Sequence, residues 1–141
     1  MRSDTSEPHA GHEHQAAASV FTRTAADVRR VIDTTPLPLA NEKRFQAALA
    51  DALNERGISA KREVTLSRGN IVDITLGQGI ILECKIKAGR VSKRAVYRQL
   101  VRYARHPDVT GIILVSGLAM GLPETIEGRP AIVLRPGGAW L

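Results

Sequence analysis

The run GIILVSG at residues 111–117 places four large apolar residues in succession between small ones. Successive side chains of a β-strand point to opposite faces of a sheet, so an uninterrupted apolar run is typical of a strand that is buried on both faces. Such a strand needs covering elements above and below its sheet, and helices commonly supply them. The run therefore favours an α/β domain with a mixed central sheet flanked by helices.

The segments around this run supply the remaining elements. Phe45, Leu49 and Leu53 fall on one face of a predicted helix, and Gly57 is a natural stop after it. A second helical pattern lies between the strand-like runs. In chain order we predict a helix at 41–57, strands at 61–66, 70–76 and 79–87, a helix at 92–106, and strands at 111–117 and 130–136. The order is α-β-β-β-α-β-β, in one domain over residues 38–141.

Residues 1–37 are expected to form an N-terminal extension that is disordered or loosely helical. Its first part is polar and carries His9, His12 and His14, which would be a weak transition-metal site or, as we favour, part of a disordered tail. Helical spacing over 19–33 predicts a short helix, which the prolines at 36 and 38 end.

Composition narrows the classes of partner and compartment. The formal net charge is +6, from 20 Lys and Arg against 14 Asp and Glu, which favours a polyanionic partner such as nucleic acid. The single cysteine suits a reducing compartment. No apolar run approaches the ~20 residues that a membrane span needs, and the N-terminus lacks the apolar core of a secretory signal. We therefore expect a cytoplasmic protein with no membrane partner.

Three charged residues interrupt the apolar strands at 70–76 and 79–87: Asp73, Glu83 and Lys85. If the three residues GQG form the connecting loop, with a glycine at positive φ, residue 76 pairs with residue 80. Asp73 then lies opposite Glu83, at about 5 Å. A two-residue turn would instead place Asp73 opposite Leu82.

Two carboxylates at that spacing destabilise a sheet unless a cation binds between them. Mg²⁺ prefers oxygen ligands and commonly takes one or two carboxylates together with water and phosphate oxygens. Lys85 is suited to orient or deprotonate a metal-activated water, or to stabilise charge on a reacting phosphate. The alternative is a solvated outer face on which the three charges form incidental salt bridges.

With these residues in this order, the chain resembles the PD-(D/E)XK nuclease superfamily over residues 38–117. The resemblance implies a restriction endonuclease-like core, a catalytic set of Asp73, Glu83 and Lys85, and a Mg²⁺ cofactor for which Mn²⁺ substitutes. Val72 stands where the superfamily name has proline. Glu42 matches a first-helix glutamate that reaches the metal through water; otherwise it is a first-turn residue that favours the helix dipole. The side chain of Cys84 is expected in the core, with its backbone carbonyl available to the metal.

Gln99 and Tyr103, four residues apart on the second helix, resemble a pair in RecB-type and phage exonucleases of this superfamily. We expect Gln99 to support Lys85 or the phosphate, and Tyr103 to assist it. The alternative for Gln99 is a glutamine at the edge of the core, since a buried amide must find hydrogen-bond partners.

A basic segment follows the predicted site, with no acidic residue between Glu83 and Asp108. Several of its cations are four residues apart and form a helical stripe, which a phosphate backbone would neutralise. Aromatic residues make up only 4% of the chain, so stacking on single-stranded bases is not expected as the main mode of binding. The predicted nucleic-acid-binding residues are Lys87, Arg90, Lys93, Arg94, Arg98, Arg102 and Arg105.

The resemblance implies a Mg²⁺-dependent deoxyribonuclease that acts on duplex or branched DNA. In its small size the chain is most similar to the Holliday junction resolvases, which implies a structure-selective endonuclease acting as a homodimer. An exonuclease, a defence nuclease or a toxin nuclease of the same superfamily remains open. So does a non-catalytic nucleic-acid-binding module on the same fold, which would bind DNA without cutting it.

Overall fold

The computed structural model describes the backbone of residues 9–87 and 91–137, and the side chains of this part except residues 9–14 and 17. Three helices and six strands make up the described part, and a single turn of 3₁₀-helix, Gly77–Gly79, joins two of the strands. In chain order the elements are α1 (His9–Thr34), α2 (Glu42–Glu55), β1 (Ala60–Ser67), β2 (Asn70–Leu76), β3 (Ile80–Lys85), α3 (Lys93–Ala104), β4 (Gly111–Ser116), β5 (Thr125–Ile126) and β6 (Arg129–Leu134).

The six strands form one mixed sheet in the order β1-β2-β3-β4-β6-β5. Strand β2 is antiparallel to both of its neighbours, β1 and β3, while β3, β4 and β6 run parallel. All six residues of β4 are buried, which confirms the prediction of a strand covered on both faces. The parallel pairing sets Lys85 at the end of β3 beside Ser116 at the end of β4.

Helices cover both faces of the sheet. On one face α1 and α2 pack on β2, β3 and β4 through a core that includes Phe45, Leu49 and Leu82. On the other face α3 packs through Val96 and Leu100 on the opposite side chains of the same strands. The predicted α/β fold with a mixed central sheet flanked by helices is therefore confirmed at this level.

Helix α1 is longer than expected and belongs to the folded domain. It is continuous from His9 to Thr34 and buries Phe21, Val28 and Ile32 in the same core as α2. The Phe21 ring lies so close to Gly111 of β4 that a β-carbon there would come within 2.4 Å of it. The helix predicted over 19–33 is therefore present as part of α1, and its buried face packs in the domain core rather than forming a loose extension.

The physical reason lies in packing that the local sequence does not display. The segment 15–19 is rich in alanine, the best helix former, and continues the helix that the buried residues anchor. Residues 1–8 and the side chains of His9, His12 and His14 lie outside the described part. None of the described helices, α1 included, has the length and apolar character that a membrane span requires.

The short strand β5 is the one described strand that the sequence did not predict. It pairs with β6 through Ile126 and Arg129, leaving Glu127 and Gly128 as a two-residue turn. Both turn residues have positive φ, 50° and 78°, as a type I′ hairpin turn requires. Glutamate is an uncommon first residue for that turn, so the pattern gave no hairpin signal.

Candidate active site

The β2–β3 hairpin has the predicted register. Ile74 pairs with Leu82, and Thr75 pairs with Ile81. The same register puts Leu76 opposite Ile80 next to the loop. In the other direction along the strands it puts Asp73 opposite Glu83. The three-residue GQG connection is confirmed, with positive φ at Gln78 (65°) and Gly79 (80°). The alternative two-residue turn, with Asp73 opposite Leu82, is excluded.

Beyond the Ile74–Leu82 pair, side chains replace the backbone ladder. The Asp73 N–H donates to Glu83 Oε1 over 2.8 Å, and the Cys84 N–H donates to Asp73 Oδ2 over 2.8 Å. In a regular antiparallel pair, backbone carbonyls would accept such bonds. The two carboxylates are therefore held between β2 and β3, which is not the geometry of a solvated outer face.

The alternation of β2 breaks at Asp73. Ile74 and Leu76 lie in the core under α1 and α2, whereas Val72 lies in the core under α3. Strict alternation along a strand would put all three on one face, and Val72 departs from it. Across the sheet from Asp73, Glu63 of β1 has φ 53°, a left-handed conformation that is rare for residues other than glycine. This irregular step interrupts the pleat at the candidate site.

Glu83 is nearly inaccessible, with 1% of its surface exposed. Burial, and after it the negative charge of Asp73, raise its pKa from 4.5 to about 8. The hydrogen bond from the Asp73 N–H and the charge of Lys85 act in the opposite direction. A buried acid beside a second carboxylate favours either a bound proton or a bound cation at this point.

Glu42 is brought to the same end of β3. Asn41 caps α2 by accepting a hydrogen bond from the Arg44 N–H at 3.0 Å, which fixes Glu42 as the first helical residue. The Glu42 Oε1 atom accepts a hydrogen bond from the Ile86 N–H at 2.9 Å. The structure thus places Glu42 beside the residue that follows Lys85, and the prediction that Glu42 belongs to this region is consistent with that contact.

The Cys84 side chain, which follows Glu83 on β3, belongs to the core. It is fully buried under α1 and α2, as expected for a core side chain. Burial raises its pKa well above 9.0, and the charges of Asp73, Glu83 and Glu42 raise it further. All three carboxylates therefore act on one point of the structure, and the thiol stays protonated there.

Lys85 is the last residue of β3. Its backbone carbonyl is hydrogen-bonded, whereas its side-chain amine is not bonded to a described residue. The Lys85 carbonyl accepts hydrogen bonds from the Gly117 N–H at 3.0 Å and from Ser116 Oγ at 3.1 Å. Gly117 approaches so closely that a β-carbon would lie 2.3 Å from the Ile86 carbonyl oxygen. Among the described residues, none forms a hydrogen bond or ion pair with the half-buried Lys85 ammonium. The amine is available to a reactant.

Gln99 and Tyr103 bond to each other rather than to Lys85. The Gln99 amide donates to Tyr103 Oη at 2.9 Å, and the Tyr103 hydroxyl donates to the Ile71 carbonyl at 2.7 Å. Burial, and after it the charge of Glu83, raise the pKa of Tyr103 to about 12. That Gln99 supports Lys85 or the phosphate stays a prediction, since the contact in the structure is the one to Tyr103. The pair instead fixes α3 to β2 close to Asp73, which is a positioning role.

The predicted basic stripe is exposed on α3 and next to it. Arg105 is partly neutralised, since its guanidinium lies 3.5 Å from Glu127 Oε1. Arg90 lies outside the described residues. The remaining predicted cations are exposed and form no ion pair with a described carboxylate: Lys87, Lys93, Arg94, Arg98 and Arg102.

Two features of this region were missed from the sequence. Lys43, in the first turn of α2, pairs with Glu63 at 2.9 Å. The hydrogen bond with Glu63 is the main cause of the raised pKa of this lysine, and the charge of Asp73 adds to it. Gln46, one helical turn after Glu42, is 1% exposed, and its Oε1 atom is the one buried side-chain oxygen or nitrogen in the described part without a partner. A polar residue on an apolar helix face was the only available signal for Gln46.

The unpartnered Gln46 Oε1 atom is expected to lower the stability of the folded protein. A buried acceptor without a hydrogen bond costs about 1–3 kcal/mol, and methionine has nearly the same length and suits a helix. Gln46→Met should therefore raise the free energy of unfolding in EDTA by about 1 kcal/mol. Urea denaturation measures this, with exposed Gln78→Met as the control, for which no gain is expected. A destabilised Gln46→Met protein would show that the amide has a partner in solution.

The residues fit a two-carboxylate Mg²⁺ site rather than a larger ligand cluster. No group of three or more His, Cys, Asp and Glu side chains in the described part is arranged to hold a metal ion. Asp73, Glu83 and Glu42 each use one oxygen for a backbone N–H, which leaves the second oxygen of each for other ligands. Two carboxylates completed by water and phosphate oxygens are the usual protein contribution to a Mg²⁺ site.

Comparison of the chain with models of protein families, with curated proteins and with solved structures gives no significant match.

Proposed function

We propose that the protein is a metal-dependent nuclease that hydrolyses phosphodiester bonds of DNA on a restriction endonuclease-like core. The observation that carries the proposal is the pair Asp73 and Glu83, held side by side between β2 and β3. Lys85 lies two residues further along β3, and its amine forms no hydrogen bond or ion pair with a described residue. The order of elements from α2 to β4 agrees with that core.

The residues of the candidate site have separate roles in the proposed hydrolysis: metal binding, activation of water and positioning of β2. Asp73, Glu83 and the Cys84 carbonyl would hold Mg²⁺, with Glu42 reaching it through water, and Mn²⁺ is expected to substitute. The chemistry supplied by the bound ion is a lowered pKa of a ligand water and neutralisation of phosphate charge. Lys85 orients the attacking water, or takes its proton, and stabilises charge on the phosphate. Tyr103 and Gln99 keep β2 in place behind Asp73.

The substrate follows from the charge on α3. Arg94, Arg98 and Arg102 are exposed at successive helical turns and repel one another, and none of the three forms an ion pair with a described carboxylate. Phosphates of a DNA backbone compensate these charges without reading its sequence. Duplex or branched DNA is therefore the proposed partner. The proposed form is a junction-resolving endonuclease acting as a homodimer, with an exonuclease, defence or toxin nuclease as alternatives.

The proposal is tested by incubating the protein with linear, supercoiled, single-stranded and four-way-junction DNA in Mg²⁺, Mn²⁺ or EDTA. Cleavage is expected with either cation and not with EDTA. Asp73→Asn should abolish it, whereas Asp51→Asn, an exposed carboxylate on α2, should leave it unchanged. Cleavage that persists in EDTA, or that survives Asp73→Asn, would contradict the proposal.

A non-catalytic DNA-binding module is the second candidate. It is favoured by the hydrogen bonds that Asp73 and Glu83 already accept from the backbone, since these give both carboxylates a structural use. The same assay separates the two functions. The module would bind one of the DNA forms and cut none of them with either cation.

A further inference from the structure

A cleft of about 500 Å³ opens between the start of α3 and the segment after β4. Its lining combines two cations, an aromatic ring and a thioether with two small residues. These are Lys93, Arg94, Tyr97, Ala119, Met120 and Gly121. The cleft is lined by none of the carboxylates of the candidate active site.

Tyr97 gives the cleft a flat apolar wall. It is 38% exposed, although α3 buries its other large apolar side chains under the sheet. Its hydroxyl forms no hydrogen bond with the described residues, in contrast to the hydroxyl of Tyr103. An exposed ring beside Met120 offers a stacking surface of the kind that unpaired bases use, because every base has a π-face.

Lys93 and Arg94 place positive charge at the rim. Both side chains are exposed, and neither pairs with a carboxylate in the described part of the chain. Cations beside an exposed ring match a nucleotide, which joins a base to a phosphate. An apolar peptide would leave both charges without a partner.

The cleft lies at the same end of strands β3 and β4 as Lys85 of the candidate active site. Ser116 pairs with Lys85 in the parallel register of β3 and β4. The Leu118 N–H donates to Ser116 Oγ at 3.0 Å, which ties the segment that lines the cleft to the end of β4. A strand bound by the active site therefore has a short path to the cleft.

We propose that this cleft binds one unstacked nucleotide of a DNA strand, with its base on Tyr97 and its phosphate at Lys93 and Arg94. The inference rests on the proposed function for the identity of the polymer. It narrows the substrate to DNA that carries unpaired nucleotides, such as an overhang, a flap or an open junction. Bases within a blunt duplex are stacked on their neighbours and cannot enter.

The test measures binding rather than cleavage. Fluorescence anisotropy in EDTA would compare a blunt duplex with the same duplex carrying a single-stranded overhang, for the unaltered protein, Tyr97→Ala and Tyr97→Phe. Tyr97→Ala is expected to weaken binding of the overhang substrate by about 10-fold and to leave the blunt duplex unchanged. Tyr97→Phe keeps the ring and should bind as the unaltered protein does.

A base analogue reports the contact directly. A 2-aminopurine in the overhang should be quenched on binding to the unaltered protein and to Tyr97→Phe, and less so on binding to Tyr97→Ala. Equal losses on both DNAs, a Tyr97→Phe protein as weak as Tyr97→Ala, or no binding of either DNA would overturn the inference. Binding that depends on Tyr97 in a protein that never cuts would leave the cleft standing and defeat the nuclease proposal. Cleavage that does not depend on Tyr97 would do the reverse.

Discussion

Lys85→Met is expected to lower the rate of DNA cleavage by about 10²- to 10⁴-fold while leaving the fold intact. Its amine is the one cationic group on β3, and it forms no hydrogen bond or ion pair with a described residue. Methionine keeps the length and apolar stem of lysine but cannot move a proton or offset negative charge. The backbone of Lys85 is held by Ser116 and Gly117, so the position of the strand does not depend on the side chain.

Two control variants define what the loss would mean. Lys61→Met removes an exposed lysine from the edge strand β1 and should change the rate little. Lys85→Arg keeps the charge but not the ability to give up a proton, since arginine stays protonated in proteins. Single-turnover cleavage by all three variants, with thermal unfolding as a check on folding, gives the comparison. An unchanged rate for Lys85→Met would remove this residue from the reaction.

The sequence predicted the hairpin because its signals are local. Three residues with a glycine between two strand-like runs specify one register, and that register alone places Asp73 opposite Glu83. The burial of β4 followed equally from its uninterrupted apolar run. Both features depend on neighbours in sequence, which is why composition and spacing were sufficient.

The features that the sequence could not predict depend on distant contacts. The extent of α1 is set by packing of Phe21 on β4, some ninety residues away. The partner of Gln99 depends on how α3 packs on β2, where the Tyr103 hydroxyl bonds to the Ile71 carbonyl. Helical spacing contains no information on that packing. The orphaned amide of Gln46 appears only once α2 is seated on the sheet.

The break in β2 has a similar origin and bears on function. Strict alternation would have kept Val72 and Ile74 on one face, with Asp73 on the other. The left-handed Glu63 opposite Asp73 disrupts that pattern and frees the Asp73 side chain to reach the Cys84 N–H within the sheet. Departures from regular pairing concentrate at binding and catalytic sites, and this one coincides with the proposed site.

The stability of the metal-free protein is expected to fall as the pH rises from about 5 to about 8.5, by a few kcal/mol. Glu83 has a pKa of about 8 in the folded protein against 4.5 ordinarily, because it is buried beside the charge of Asp73. The folded state therefore holds a proton that the unfolded state has already lost across this range. The contribution of Glu83 is complete below pH 4.5 and is lost as the pH rises through the folded pKa.

Urea denaturation in EDTA across that range measures the effect, and Glu83→Gln isolates it. Glutamine resembles the protonated acid and has no proton to lose, so its pH slope should be flatter than that of the unaltered protein. Adding Mg²⁺ should stabilise the unaltered protein more at about pH 8.5 than at about pH 5, since the ion competes with the proton for the same carboxylate. Asp73→Asn leaves the burial of Glu83 but removes the charge that adds to its raised pKa. The folded-state pKa of Glu83 should then be lower, so the fall in stability should end at a lower pH. Parallel pH profiles for Glu83→Gln and the unaltered protein would show that Glu83 is already ionised at neutral pH and does not need a cation to be so.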